Sequence, residues 1–144
     1  MSTIHIKTAE DKDFESVYQF INALEEDVFD REIQKNIYKQ NCNNPNIIYL
    51  LAMEDDTAVG FISCHIQLLL HHSGPIGEIQ EMYVDASKRA LGIGKILITE
   101  LKKRAKDKGV LQLEVTSSFK RDRAHKFYMT EDFEFTHKKF VYIG

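Results

Sequence analysis

The chain of 144 residues has no tryptophan, only two prolines and only two cysteines. Cys42 and Cys64 are too few and too far apart for a disulfide scaffold or a zinc ribbon. Scarce proline and only seven glycines exclude a collagen-like or low-complexity chain. Runs such as Leu68-Leu69-Leu70 fall far short of the about 20 apolar residues that a membrane-spanning helix needs. The first residues, Met1-Ser2-Thr3-Ile4-His5-Ile6-Lys7, lack the apolar stretch of a signal peptide. There is no excess of positive charge either. A net charge of -3 and a pI near 6.1 give no electrostatic footprint for nucleic acid, and no aromatic-basic platform supplies one. What is present is 43% hydrophobic and 28% charged residues, the balance of a folded domain with a core. We find no repeat, linker or change of composition, so one domain over residues 1–144 in the cytoplasm is expected, with neither nucleic acid nor membrane as partner.

Periodicity supplies the elements. Ile4 to Thr8 alternates as a strand, and Thr8 with Asp11 has the spacing of a capping box. Phe14, Val17, Tyr18, Ile21 and Leu24 then recur at helical intervals, and Phe29, Ile33 and Ile37 suggest a second helix ending before Asn43-Asn44-Pro45. Ile47 to Met53 and Val59 to Leu70 flank Glu54-Asp55-Asp56-Thr57 as a hairpin. Glu78 to Val84 is a further strand, Ile93 to Ala105 an amphipathic helix stopped at Lys108-Gly109, and Leu111 to Val115 another strand. Ala124 to Met129 reads as a helix, and short strands around Phe133–Phe135 and Phe140–Tyr142 close the chain. Strand, helix, strand near the middle favours a right-handed crossover. The expected fold is α/β (α+β), with a mixed, mostly antiparallel sheet and helices on both faces.

The most informative stretch is Tyr83-Val84-Asp85-Ala86-Ser87-Lys88-Arg89-Ala90-Leu91-Gly92-Ile93-Gly94-Lys95. A strand ends, a loop follows, and two glycines open a helix. Helix N-termini expose backbone N–H groups that attract anions, and glycine lets a phosphate come close. Arg89 and Lys95 add full positive charges. The Gly-Lys-Ser/Thr ending of a Walker loop is missing, and so is the third glycine of a dinucleotide fingerprint. An ordinary glycine-bearing helix start would carry the same residues.

The Arg-x-x-Gly-x-Gly pattern after Tyr-Val-Asp resembles the acetyl-coenzyme-A pyrophosphate loop of the GNAT superfamily of N-acetyltransferases. Ala124-His125-Lys126-Phe127-Tyr128, with Phe133 five residues on, is similar to that family's Ala-x-x-Phe-Tyr helix. The resemblance covers nearly the whole chain and implies the acyl-CoA N-acyltransferase fold with acetyl-CoA as cosubstrate. It assigns Arg89, Leu91, Gly92, Ile93, Gly94 and Lys95 to the pyrophosphate and the Met82-Tyr83-Val84 backbone to the pantetheine arm. It gives Glu78 the role of general base and Tyr128 that of the acid for the departing thiolate. Arg121 departs from the pattern where many members carry asparagine, and Asp132 replaces a glycine.

Acetyl transfer to an alkylamine of pKa about 10.4 requires a group that removes the surplus proton. Strict alternation puts Glu78, Gln80, Met82 and Val84 on one strand face and Ile79, Glu81 and Tyr83 on the other, so the two carboxylates are expected on opposite sides, with Glu81 in reserve. Cys64 is the nucleophile of a rival covalent route, although a buried free cysteine is usually a small hydrophobe.

His65-Ile66-Gln67, Leu70-His71-His72, Ile76 to Glu81 and Lys120-Arg121 resemble the aminoalkylphosphonate N-acetyltransferases. That resemblance implies direct transfer to the primary amine of a small aminophosphonate in a ternary complex. Arg31, His65, His72, Lys120 and Arg121 are candidates for holding the acceptor, and a divalent metal on the phosphonate is left open. The alternatives are another small amine such as a polyamine or amino sugar phosphate, a protein N-terminus, or a coenzyme-A sensor without turnover. The family resemblance also leaves a homodimer open, since Phe133, Phe135, Phe140 and Tyr142 suit either a core or a dimer seam.

Overall fold

The computed structural model describes residues 3–117 and 121–144. Five strands, β1 (Ile4–Thr8), β2 (Ile47–Glu54), β3 (Thr57–Leu69), β4 (Gly74–Val84) and β5 (Gln112–Val115), form one sheet in chain order. Neighbours pair antiparallel except β4 and β5, which a helical crossover makes parallel. Two helices, α1 (Phe14–Glu25) and α2 (Arg31–Cys42), cover one face, and α3 (Ile93–Asp107) and α4 (Asp122–Thr130) cover the other. Because both faces are covered, Leu50, Leu51 and Ala52 are consecutive in β2 and all fully buried.

The helix starts show local chemistry at work. Asp30 caps α2 by accepting from the Ile33 N–H at 3.0 Å. Ahead of α1 the reciprocal cap is built by Glu10 and Asp13, where the sequence suggested Thr8 and Asp11. Thr8 is still the last residue of β1, so the short 3-10 turn Asp11–Asp13 takes over the start. At the other end of the crossover, Gly109 (φ +77) stops α3 in the left-handed conformation that favours glycine.

One irregularity decides what the site looks like. Ser63 pairs with Glu81 but Cys64 pairs with Ile79, so Gln80 is an extra residue in β4 with no partner on β3. Upstream, Ile79 lies with Cys64 in the core under α3. Downstream, Met82 and Val84 pack against that same core, while Tyr83 packs on the α1 side. Glu78 and Glu81 therefore share the face covered by α1 and α2. This corrects the expectation that they point to opposite sides; alternation fails because the bulge inserts one residue between them.

The C-terminal expectation also fails. Residues 131–144 form no strand. Phe133 turns back onto the Tyr128 ring, with centroids 5.6 Å apart. Phe135, Phe140, Val141, Tyr142 and Ile143 are exposed. The alternating pattern supplies strand propensity, but a strand needs a neighbouring ladder, and this stretch lies beside none.

Candidate active site

β4 and β5 separate part-way along their length. Their pairing runs from Ile76 with Gln112 to Ile79 with Val115 and stops there. From Gln80 to Val84, β4 keeps β3 on one side, and its other edge is unpaired by any described strand. Met82, Tyr83 and Val84, the residues expected to receive a pantetheine arm, lie on this open edge. An extended ligand with amide groups can add to such an edge by backbone hydrogen bonds.

The expected phosphate turn adjoins that edge. Asp85 accepts from both the Ser87 N–H (2.9 Å) and its hydroxyl (2.7 Å), which holds the Asp85 carboxyl below its usual range. Arg89 donates from Nε to the Val84 carbonyl at 3.1 Å, and its guanidinium lies 5.2 Å from the Tyr83 ring centroid. Ala90 (φ +67) and Gly92 (φ +80) are both left-handed, and the chain then enters α3 at Ile93 with no side chain capping its amides. Leu91 is exposed and Ile93 is buried beneath the helix. A Cβ on Gly94 would stand 3.1 Å from Met82 Cε and 3.3 Å from Phe127. That close approach brings the start of α3 down onto β4 and α4. Lys95 follows within the first turn of α3. The arrangement fits a diphosphate: uncapped N–H groups, a permissive backbone and cations.

Tyr128 lies on the α3 side of the sheet, its hydroxyl 3.8 Å from Met82 Sδ and its ring against Phe127 and Phe133. Burial pushes its phenol up to about 12, partly offset by the Arg121 charge. It is a protonated donor at every physiological pH. Cys64 is fully buried in the core on that side, and burial, with the Glu78 charge adding to it, pushes its thiol up to about 12. Such a thiol is neither exposed nor ionised, so the covalent route has no nucleophile there.

On the α1 and α2 side, a cavity of about 460 Å³ opens against β3 and β4. Its wall includes Glu81, His65 and Gln80 from the sheet, Glu25 from α1 and Tyr49 from β2. Asn41 Nδ2 donates to the Tyr49 hydroxyl at 2.6 Å. Burial raises the Tyr49 phenol, Asn41 opposes the rise and the Glu81 charge adds to it. Glu81 is in turn hydrogen-bonded to Ser63, the one buried polar residue among those described. Glu78 lies farther along β4, outside the cavity wall. It accepts from Gln80 Nε2 at 2.5 Å and lies 3.5 Å from the Thr116 hydroxyl.

The residues expected to hold the acceptor scatter. His65 lines the cavity. Arg121 does not line the cavity, but it reaches across from the start of α4 to Glu25 (3.6 Å), which does, and to the Leu24 carbonyl (3.4 Å). Arg31 is engaged elsewhere, with Glu15 at 2.6 Å and Glu32 at 3.6 Å, and His72 stands 3.8 Å from Glu114. Lys120 lies outside the described residues. Among the described residues, no group of three or more His, Cys, Asp or Glu is placed to hold a metal, and no helix is long and apolar enough to cross a membrane. Ser63, fully buried and bonded to Glu81, is a residue that the sequence reading missed. Its signal is a hydroxyl inside an otherwise apolar run from Val59 to Cys64.

The comparisons with known proteins agree with this geometry. A family model described as the acetyltransferase (GNAT) family matches residues 14–135. An aminoalkylphosphonate N-acetyltransferase of Salmonella typhimurium is 34% identical over 141 residues, covering 98% of this chain and 92% of the relative. The solved aminoglycoside N-acetyltransferase AAC(6')-Iy, in complex with CoA, superposes with a TM-score of 0.91 at 19% identity, over 100% of this chain and 96% of that one. A Bacillus halodurans C-125 protein described as a transcriptional regulator gives 0.90 at 19% identity, over 99% and 100% of the two chains. At such identities these two likenesses establish a shared fold and nothing finer.

Proposed function

Because the chain belongs to the acetyltransferase (GNAT) family and is an acetyltransferase, we propose that it transfers the acetyl group of acetyl-CoA directly to the primary amine of a small aminoalkylphosphonate, in a ternary complex. The observation that carries the reading is the open edge of β4, with the Glu81 side chain on its cavity face and Tyr128 on the other. The acceptor class is suggested by the Salmonella relative and by Arg121, a cation paired with Glu25 of the cavity wall and of a kind suited to a phosphonate.

The thioester supplies the acyl group; the protein supplies position and proton transfer. Pyrophosphate is held by Arg89, Leu91, Gly92, Ile93, Gly94 and Lys95, and the pantetheine arm by the Met82, Tyr83 and Val84 backbone. Cys64, buried and protonated, leaves the amine as the direct nucleophile. An ordinary carboxylate near 4.3 cannot strip an alkylammonium near 10.4 beforehand, since that gap of about 6 units is about 8 kcal/mol. The small neutral fraction of the amine therefore makes the attack, its first proton having gone to water, and the carboxylate takes the second proton from nitrogen as the C–N bond forms and that nitrogen becomes acidic. We assign this to Glu81, which lines the cavity, in place of Glu78, which does not. As the C–S bond breaks, the sulfur takes a hydrogen bond from the Tyr128 hydroxyl.

The test is an acceptor panel of aminomethyl- and aminoethylphosphonate, a polyamine, an amino sugar phosphate and a peptide, followed by thiol release with and without a divalent ion. Turnover of the aminophosphonates, with Arg121→Ala raising their KM but not that of an alkylamine lacking an anionic group, supports the reading. Preference for another amine replaces the acceptor class. No release with any amine, despite tight coenzyme binding, would identify a sensor.

A further inference from the structure

Glu81 owes its place to the hydroxyl beneath it. Ser63 is fully buried in the middle of β3, in a run that is otherwise apolar from Val59 to Cys64. A buried hydroxyl needs partners, and Ser63 finds both on one residue. Its Oγ accepts the Glu81 backbone N–H at 2.9 Å, and its O–H donates to Glu81 Oε1. The bulge explains why this is possible. With Gln80 unpaired, the ladder is interrupted where Glu81 pairs with Ser63, and the amide is satisfied by a side chain. A serine of the right length closes a ring that fixes the backbone and carboxylate of one residue together. Oε2 accepts from no described residue, and so remains available at the cavity wall.

We propose that Ser63 is a positioning residue for acetyl transfer, locking the Glu81 carboxylate in the orientation that receives the proton of the incoming amine. Holding a reacting group in one geometry is a recognised source of rate, and a carboxylate free to rotate loses part of it. The proposal rests on the acetyl-transfer reading, but it assigns a task to a residue that never meets substrate.

The experiment compares the wild type with Ser63→Ala, Ser63→Thr, Glu81→Gln and the Ser63→Ala/Glu81→Gln pair, with acetyl-CoA and either aminoethylphosphonate or concentrated n-butylamine. Each variant is also checked for melting temperature and acetyl-CoA affinity. Ser63→Ala is expected to lower kcat about tenfold, the scale of one charge-assisted hydrogen bond, with the KM for acetyl-CoA unchanged. Ser63→Thr, which keeps the hydroxyl, recovers most of the loss. The paired variant is no slower than Glu81→Gln alone, because the hydroxyl then has no carboxylate to orient. A Ser63→Ala enzyme with full kcat, or losses that multiply in the pair, would overturn the assignment to Ser63 while leaving acetyl transfer standing. A wild type that releases no thiol with these two amines or with any other member of the acceptor panel would sink acetyl transfer and this proposal with it.

Discussion

Removing one oxygen from Tyr128 should separate chemistry from folding. The hydroxyl has one described partner, Met82 Sδ at 3.8 Å, and a thioether is a weak acceptor. Tyr128→Phe therefore costs no more than about 0.5 kcal/mol, the low end of a neutral hydrogen bond, or about 2 °C in melting temperature. The ring contacts with Phe127 at 5.4 Å and Phe133 at 5.6 Å remain. For turnover, the phenol at about 12 sets the scale. Full proton transfer to a thiolate with a pKa of about 8.5 would be uphill by about 3.5 units, about 5 kcal/mol. The hydroxyl should thus act as a hydrogen-bond donor to the developing charge, worth about 1.5 to 3 kcal/mol, so kcat falls about 10- to 100-fold. Thiol release at saturating substrates measures kcat, and calorimetric titration measures acetyl-CoA affinity, which should change less than about twofold. Because burial raises this pKa, the protonated donor persists as pH rises, so wild-type kcat should show no alkaline limb from Tyr128 below about pH 10. Unchanged turnover in Tyr128→Phe, or an alkaline limb near neutrality that the substitution abolishes, would refute the reasoning.

Two further substitutions test the neighbouring assignments. Gly92 (φ +80) has nothing within 4 Å of a would-be Cβ, so Gly92→Val strains the backbone without a clash. It should weaken acetyl-CoA binding about tenfold while sparing kcat at saturation; an unaltered dissociation constant in a calorimetric titration would place the pyrophosphate elsewhere. Native protein treated with a thiol reagent should be modified only at the half-buried Cys42, with Cys64 reacting on denaturation. Cys64→Ala should keep kcat within about twofold at a lowered melting temperature, whereas loss of turnover in a folded variant would mean that an acetyl-cysteine forms.

Much of the fold was legible because most elements advertise themselves locally. The alternation Ile4-His5-Ile6 and the stripe Ile93, Leu97, Leu101, Ala105 each name an element and its buried side. The left-handed turn into α3, to which we assign the phosphates, was legible as a turn, since glycines ahead of an amphipathic helix are a local signal. What escaped reading depends on a partner strand. Nothing in Glu78-Ile79-Gln80-Glu81-Met82 announces a bulge; it exists because Ser63 and Cys64 are matched across the ladder to Glu81 and Ile79. The sharing of one face by two carboxylates, and with it the preference for Glu81, follows from that pairing. Phe133 to Tyr142 shows the same limit from the other side, carrying strand propensity where no ladder receives it. Arg31, chosen for its charge, is taken by Glu15, a residue 16 positions away that no local pattern links to it.

Gln80 makes the kink in β4 matter more than its letters. Straightened at the same length, the strand would exchange every side chain from Glu81 onward between the two sides of the sheet. The acid would be driven into hydrocarbon under α3, and the thioether of Met82 would come out into the cleft. Loss of Gln80 itself is milder, since Ile79 and Glu81 would then follow one another on the sides they already occupy, and the surplus residue is where this strand can absorb a change of length.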